Sequence, residues 1–372
     1  MIVMNLMLDN IYGFDNFEIN FSYPRKGNNN FINDEFLAGR DNFRYKKLNI
    51  IMGGNATGKT TFGKALMSIL NFIGKKEMVH IERIINNKSK AALFTIDFVL
   101  SDADNVYKLY RVDTKIYEDE NVFVKVYCTE IKTNDSYENC VEKLQLIGDE
   151  DDNYVTSLEK ITEGFDWFFS YPEETVKFNM KEDEELYLKV LQAILRTLDP
   201  SIKEVVTLQE VEHSYIIRLE NKDVILQEGQ VVNNELLSSG TKNGIDIAKI
   251  LYALKKQKHT LYYCDEKFSF IHSDVEKSIL CQMISSLEKN GQLFFTTHNL
   301  DILELPFPKH SYTFLKKEKI DDKYIIKKVH VEKYLKRNTD SLINAYKNDL
   351  FSTAPDVSEI DDLDGIEIIS EK

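Results

Sequence analysis

The stretch "IIMGGNATGKTTFGK", from Ile50 to Lys64, constrains the fold of this chain more than any other. It fits the pattern G-x-x-x-x-G-K-[ST], with Gly53, Gly58 and Lys59 at the fixed positions. A short apolar run typical of a buried parallel strand precedes the loop, and helical periodicity follows it. Strand, glycine loop and helix in this order predict a phosphate-binding loop (P-loop) in an α/β fold.

Glycines allow successive backbone N–H groups to point at a phosphate from the positive end of a helix. We expect Lys59 to reach the β- and γ-phosphates of ATP and Thr60 to ligate Mg²⁺. The alternative is a glycine turn capped by Thr57 beside a surface lysine, which leaves the second glycine unexplained. The residues predicted to bind the nucleotide are Gly53, Gly54, Asn55, Ala56, Thr57, Gly58, Lys59, Thr60 and Thr61.

Composition limits the kind of protein. With 43% hydrophobic residues among 372, the chain can bury a large core. It shows no run near the ~18 apolar residues of a membrane span and no secretion signal at its start. Its four cysteines form no C-x-x-C pair, which predicts a reduced, cytoplasmic location.

A formal net charge of −14 argues against a protein whose whole surface coats nucleic acid. Lysines and arginines do gather at residues 75–90 and 316–328. Such runs are typical of solvated faces, so nucleic acid is only weakly supported as a partner.

Patterns along the chain predict two kinds of β-structure and one helical segment. The opening residues to Tyr23 alternate apolar and polar, as in two paired strands, and Ala91 to Thr133 indicate an antiparallel meander. Residues 157–198 have helical spacing with an aromatic cluster near Trp167, most simply core or a docking surface. Between the P-loop and residue 235 the sequence has no heptad run of useful length, so we expect no long coiled-coil arm there.

A second acidic element follows in "TLYYCDEK", at residues 260–267. Its apolar run ends in Asp265 and Glu266, and ligands of α/β sheets bind at the carboxyl ends of parallel strands. There Asp265 would hold Mg²⁺, and Glu266 would orient and deprotonate the attacking water. By itself, such a pair is more often a strand end with two solvated acids.

Two further segments complete the pattern. In "LLSSGTKNGIDIAKIL", residues 236–251, Ser238, Ser239 and Gly240 place hydroxyls and N–H groups at a helix start, either as an anion site or simply as an N-cap. In "GQLFFTTHNLDIL", residues 291–303, an apolar strand ends near His298. The spacing leaves room for one helix after Glu266, which predicts neighbouring strand ends.

Together, "GGNATGKTT", "LSSGTKNGIDI", "YYCDEKFSFIHSDVEKSI" and "FFTTHNLDIL" resemble the Walker A, signature, Walker B and histidine-switch motifs of ABC-type ATPase heads. The combination resembles most the AAA/ABC-like P-loop ATPases of the overcoming-lysogenization-defect and AbiL-like abortive-infection group, relatives of RecF and SMC heads. The resemblance covers about residues 1–70 and 230–355. It implies an α/β fold with a P-loop core sheet, an antiparallel β subdomain and an inserted, mostly helical segment.

The resemblance also implies a role for each matching residue. Glu266, His298 and Lys59 would be the catalytic residues, and Thr60 and Asp265 would ligate the metal. Ser238, Ser239 and Gly240 would contact the γ-phosphate of ATP held by a partner subunit, in a head-to-tail dimer with ATP sandwiched at the interface. One departure lies in the loop that couples the two sites, where residues 270–273 read "FIHS" and a usual serine is missing.

The implied domains are two head halves, an insert and a tail. Their limits are 1–135 with Walker A and the β subdomain, 136–230 for the mixed or helical insert, 231–355 with signature, Walker B and histidine switch, and 356–372 for an acidic tail.

The implied function is a Mg²⁺-dependent ATPase whose dimerisation regulates a separate, nuclease-like effector protein in antiviral defence. Two alternatives remain: a RecF-type DNA-repair head that clamps DNA, and an ATP-gated scaffold with little turnover.

Overall fold

The computed structural model describes residues 1–23, 31–101, 106–117, 121–149, 153–161, 164–171, 183–208, 211, 214–227, 229–232, 236–257, 259–320, 323–335 and 340–353. The acidic tail predicted at residues 356–372 lies outside the described residues.

The described residues form eighteen strands and nine α-helices. The strands are β1 (Ile2–Asp9), β2 (Phe17–Asn20), β3 (Phe36–Leu37), β4 (Arg40–Arg44), β5 (Leu48–Met52), β6 (Ala92–Ser101), β7 (Tyr107–Ile116), β8 (Val122–Glu130), β9 (Gln145–Gly148), β10 (Trp167–Ser170), β11 (Glu204–Thr207), β12 (Ser214–Arg218), β13 (Asp223–Gln227), β14 (Gln230–Val231), β15 (Leu261–Asp265), β16 (Gln292–Thr296), β17 (Tyr312–Ile320) and β18 (Lys323–His330). The α-helices are α1 (Lys59–Lys75), α2 (Val79–Glu82), α3 (Tyr137–Glu142), α4 (Tyr154–Glu159), α5 (Glu184–Leu198), α6 (Ser239–Lys255), α7 (Ser273–Ser286), α8 (Val331–Tyr334) and α9 (Leu342–Lys347). Short 3-10 helices span Leu300–Glu304 and Lys309–Ser311.

The central sheet has the order β10-β15-β16-β5-β17-β18, and its strands are parallel except for β18. Strands β5, β15 and β16 are buried along their whole length, as their continuous apolar sequences predict. Asp265 pairs with Thr296, and Thr296 pairs with Ile51. The carboxyl ends of these three strands therefore meet at one edge, where the predicted site residues follow them.

A second sheet is antiparallel, with the order β2-β1-β6-β7-β8-β9. The pairing of β1 with β2 and the β6–β7–β8 meander confirm the sequence prediction for this subdomain. Helix α1 lies between the two sheets, and Phe62 on this helix contacts Phe17 on one side and Tyr263 on the other. Helices α5, α6 and α7 cover the opposite face of the central sheet.

The middle segment is less helical than expected. Within its described residues, α3, α4 and α5 alternate with six strands, of which β11–β14 form an antiparallel sheet. The aromatic cluster is the edge strand β10, whose Phe168 pairs with Tyr262 of β15. A four-residue strand shows no clear period, and its partner lies far along the chain, so local spacing indicated a helix instead. The cluster is core, since Phe168 and Phe169 are buried.

The longest described helices, α1 and α6, have 17 residues each. None of the described helices is both long and apolar enough to cross a membrane.

Candidate functional site

The predicted P-loop connects β5 to α1 and runs very close to β17 and β18. Gly53 and Gly58 have φ angles of +151° and +99°, which side-chain-bearing residues rarely adopt. A Cβ atom on Gly53 would lie 2.4 Å from the carbonyl oxygen of Leu315. One on Gly58 would lie 2.5 Å from Cδ1 of Ile326. Backbone conformation therefore favours glycine at both fixed positions, and at Gly53 the close approach of the β17 backbone also leaves no room for a side chain.

Lys59 begins α1 and is almost completely buried beneath the loop, with 4% of its surface exposed. Its Nζ donates to the carbonyl oxygens of Gly53 and Gly54 over 3.0 Å each and lies 3.2 Å from Oε1 of Glu266. Burial lowers the pKa of Lys59, and the charge of Glu266 opposes that shift. The predicted lysine of the P-loop and the predicted base are therefore neighbours.

Asp265 lies at the end of β15, fully buried between two threonines. Thr60 donates to its Oδ2 and Thr296 to its Oδ1, both over 2.6 Å. Burial raises the pKa of Asp265, while the hydrogen bonds from Thr296 and Thr60 counteract the shift. The sheet register brings these groups together, since Thr296 is the cross-strand partner of Asp265.

The oxygens of Thr60 and Asp265 are hard ligands of the kind that Mg²⁺ prefers. In the part of the chain that the structure describes, no three His, Cys, Asp or Glu side chains group as a metal site. Mg²⁺ in phosphate-handling sites usually takes only one or two protein carboxylates, with phosphate and water completing its shell. The hydroxyl and carboxylate therefore fit Mg²⁺ held together with a nucleotide.

Glu266 follows Asp265 with a left-handed backbone, φ +44°, a strained conformation for a residue with a side chain. Its N–H donates to Oγ1 of Thr296 over 3.0 Å. Its Oε1 lies 2.8 Å from Nε2 of His298. Burial alone would raise the pKa of Glu266, but the hydrogen bond with His298 and the charge of Lys59 outweigh burial and lower it. The predicted closeness of Glu266 and His298 is confirmed.

The predicted signature residues lie at the start of α6. Ser238 caps α6, accepts the N–H of Thr241 over 3.1 Å, and is exposed together with Ser239. A Cβ on Gly240 would lie 2.8 Å from the carbonyl oxygen of Phe270, in the loop after Glu266. Across the described residues, no hydrogen bond or ion pair joins 238–240 to the P-loop or to Glu266. The structure thus brings together five of the predicted active groups, Lys59, Thr60, Asp265, Glu266 and His298, and places the signature turn beside the loop that follows Glu266.

An ion pair links the signature helix to the segment that follows Glu266. Lys267 is almost completely buried, and its Nζ lies 2.8 Å from Oδ2 of Asp246 in α6. Asp246 also pairs with Lys249 over 3.0 Å. Burial raises the pKa of Asp246, but the charges of Lys249 and Lys267 outweigh burial and lower it. The signature helix and the end of β15 are thereby held in one arrangement.

Sequence reasoning missed two residues that support the site. Thr296 orients Asp265 and accepts the N–H of Glu266, and its sequence signal was its place at the end of the apolar strand, two residues before His298. The hydroxyl of Tyr263 donates to the carbonyl oxygen of Lys59 over 3.0 Å. A Cβ on Gly63 would lie 2.4 Å from the Tyr263 ring, so this glycine lets α1 approach β15.

Comparison with solved structures identifies the fold. An SMC head bound to the C-winged helix domain of ScpA aligns with 13% identity, a TM-score of 0.50, and coverage of 90% of this chain and 100% of its own. An SMC head with an extended coiled coil from Pyrococcus furiosus, bound to the C-terminal domain of ScpA, aligns with 12% identity, a TM-score of 0.51, and coverage of 90% and 98%. A RecF structure aligns with 12% identity and coverage of 88% of this chain and 98% of its own. Its TM-score of 0.41 is too low to indicate a shared fold.

No protein-family model matches the sequence, and the comparison with curated proteins finds no match. At these identities the structural likeness concerns the fold alone. The chain has the mixed α/β fold of an SMC-type head, as the sequence predicted.

Proposed function

We propose that this chain is a Mg²⁺-dependent ATP hydrolase of the ABC type. One observation carries the proposal: Lys59 and Thr60 of the glycine loop lie within contact distance of Asp265 and Glu266, and Glu266 contacts His298. Kinase and GTPase functions would not account for this histidine together with the 238–240 turn. In this proposal residues 1–135 and 231–355 form the head, and residues 136–230 are an insert that contributes β10.

Each group has a distinct task. A triphosphate would replace the carbonyl and carboxylate partners of Lys59 with phosphate oxygens. Mg²⁺, held by Thr60 and Asp265, would neutralise charge on the β- and γ-phosphates. Glu266, with a lowered pKa, is ionised at neutral pH and can orient water and accept its proton. His298 would contact the γ-phosphate beside it.

We further propose that ATP binding joins two copies head to tail. Ser238 and Ser239 are exposed and, with Gly240, lie at the start of a 17-residue helix, where an anion is stabilised. Among the described residues, no hydrogen bond or ion pair ties this turn to the P-loop of the same chain, which supports a role toward the nucleotide of a partner. The ATP-closed dimer would regulate a separate, nuclease-like effector in the cytoplasm, in antiviral defence of the abortive-infection kind. That last step rests on sequence resemblance.

The activity is tested by phosphate release from ATP with Mg²⁺. Glu266→Gln should bind ATP like wild type and release phosphate at least about 100-fold more slowly, because a general base contributes that much. Glu288→Gln, an exposed and distant change, is the matched control. Unchanged turnover in Glu266→Gln would contradict the role of Glu266. ATP binding without phosphate release by wild type would favour the ATP-gated scaffold.

One observation favours DNA as a further ligand of the closed dimer, as in a RecF-type clamp. The hairpin β17–β18 carries Lys316, Lys317, Lys319, Lys323, Lys327 and Lys328. Its Ile326 side chain packs against Gly58 of the P-loop, so the hairpin adjoins the nucleotide site. This function predicts DNA binding that requires ATP and weakens steeply with salt. Titration of DNA with and without ATP distinguishes it from regulation of a protein effector.

A further inference from the structure

A buried polar network holds the residues on either side of His298. It has no part in the functions described so far. Glu276, in the first turn of α7, is only 2% exposed. Its Oε1 accepts from Oγ1 of Thr297 and its Oε2 from Nδ2 of Asn299, both over 2.7 Å. The two hydrogen-bond donors are the residues immediately before and after His298. A single carboxylate therefore holds the loop on both sides of this histidine.

The network closes on itself and extends to the start of α7. The N–H of Asn299 donates to Oγ1 of Thr297 over 3.0 Å. Asn299 also donates to the hydroxyl of Ser273 over 3.0 Å, and Ser273 donates to Asp301 over 2.6 Å. Burial raises the pKa of Glu276, while hydrogen bonds from Thr297 and Asn299 counteract the shift. Buried networks in which each member has partners hold one geometry rather than several.

Ser273 lies at the junction with the loop that follows Glu266. This loop contains Phe270, whose surface is 70% exposed, and its backbone adjoins Gly240 of the signature turn. A subunit docking on the signature turn would also press on this loop. The loop leads directly into the first turn of α7, which carries both Ser273 and Glu276.

We propose that Glu276 is the positioning residue that aims His298 at Glu266, and that Ser273 transmits docking of a second copy of this chain to it. This inference rests on the proposed ATPase function. Glu276 acts through Thr297 and Asn299 and touches neither nucleotide nor water itself.

The central test compares Glu276→Gln with Glu288→Gln, and Ser273→Ala with Ser285→Ala, an exposed serine on the same helix. Glutamine keeps the size of Glu276 but replaces one acceptor with a donor that faces Thr297 or Asn299. We expect kcat for ATP to fall about tenfold in Glu276→Gln, because small misplacements of reacting groups are costly, while KM changes less than about twofold. The controls should behave as wild type.

Two further comparisons separate positioning from a merely structural role. Thr297→Ser keeps the hydroxyl and should retain turnover, whereas Thr297→Val, of similar shape, should lose about as much as Glu276→Gln. Because Ser273 and Glu276 act through the same asparagine, the double variant Ser273→Ala/Glu276→Gln should be no slower than Glu276→Gln. The proposal would be overturned if the fold-losses in kcat of the two single variants multiplied in the double variant. Equal turnover in the two Thr297 variants would also overturn it.

A measurement without ATP keeps this inference distinct from the proposed function. The imidazole NMR signals of His298 should shift in Glu276→Gln and stay in place in Glu288→Gln. If wild type fails to hydrolyse ATP, the ATPase proposal fails, and the NMR comparison still decides whether Glu276 positions His298. An unmoved His298 signal in Glu276→Gln contradicts the positioning role.

Discussion

The hydroxyl of Thr60 donates to Oδ2 of Asp265 over 2.6 Å and so joins the start of α1 to the end of β15. The two residues are far apart in the sequence and meet because β5 and β15 flank β16 in the central sheet. This contact brings two oxygen ligands together at the edge where α/β proteins bind ligands. It is the structural basis for expecting Mg²⁺ at this place.

Replacing Thr60 with alanine should raise the Mg²⁺ concentration that nucleotide binding requires. Removing one oxygen ligand and the group that orients Asp265 is expected to raise the Mg²⁺ concentration for half-maximal ATP binding about tenfold. Titrating Mg²⁺ against a fluorescent ATP analogue measures this. Thr197→Ala, on the exposed side of α5, is the matched control. Identical Mg²⁺ curves for Thr60→Ala and wild type would refute Thr60 as a ligand.

The two glycines that begin the P-loop should respond very differently to alanine. Gly53→Ala should lower the free energy of unfolding by about 3 kcal/mol, because its Cβ would overlap the Leu315 carbonyl at a left-handed φ. Gly54→Ala meets nothing closer than 3.9 Å and should be tolerated. Measurements of thermal unfolding and of ATP affinity compare Gly53→Ala with Gly54→Ala. Equal stability of the two variants would mean that β17 does not approach the loop as closely as described.

Asp246→Asn should destabilise the protein, because it leaves the buried charge of Lys267 without its carboxylate. The expected loss is about 3 kcal/mol at neutral pH. Since the pKa of Asp246 is lowered in the folded state, its contribution is full above the unfolded pKa of about 3.9 and disappears as pH falls through the folded pKa. The difference in unfolding free energy from wild type should therefore be constant from pH 7 to about 5 and shrink below about 4.

Urea unfolding of Asp246→Asn and wild type across this pH range measures that difference. Asp223→Asn, on an exposed position of β13, controls for the loss of a surface charge. A loss in Asp246→Asn no larger than in the control would show that Lys267 does not depend on this ion pair.

The sequence predicted those parts of the site that are encoded locally. The glycine loop, the acidic pair at 265–266 and His298 each follow an apolar strand, and the rule that parallel strand ends share one edge was enough to bring them together. The β1–β2 pair and the β6–β7–β8 meander were predictable because parts of their sequences alternate apolar and polar and because the strands within each group follow one another in the chain.

Features that depend on contacts between distant segments were not predictable. Strand β10 is short, and its partner β15 lies far along the chain. Thr296 and Glu276 have ordinary surroundings in the sequence, and only the sheet register and the packing of α7 place them beside Asp265 and His298. The left-handed backbone of Glu266 likewise occurs with a hydrogen bond from its N–H to Thr296, on the neighbouring strand.

The central claim is a composite ATP site made by two copies of the chain, and mixing two inactive variants tests it most directly. Lys59→Ala removes the lysine of the P-loop, and Ser238→Arg blocks the signature turn at an exposed position. Each variant alone should release almost no phosphate. In a head-to-tail dimer of one copy of each, one site keeps an intact loop and an intact signature.

Random pairing makes half of the dimers mixed, so the equimolar mixture should regain up to about a quarter of wild-type phosphate release. Such recovery is the result that the composite site predicts. A mixture as inactive as its two components, or full activity of Ser238→Arg alone, would contradict it.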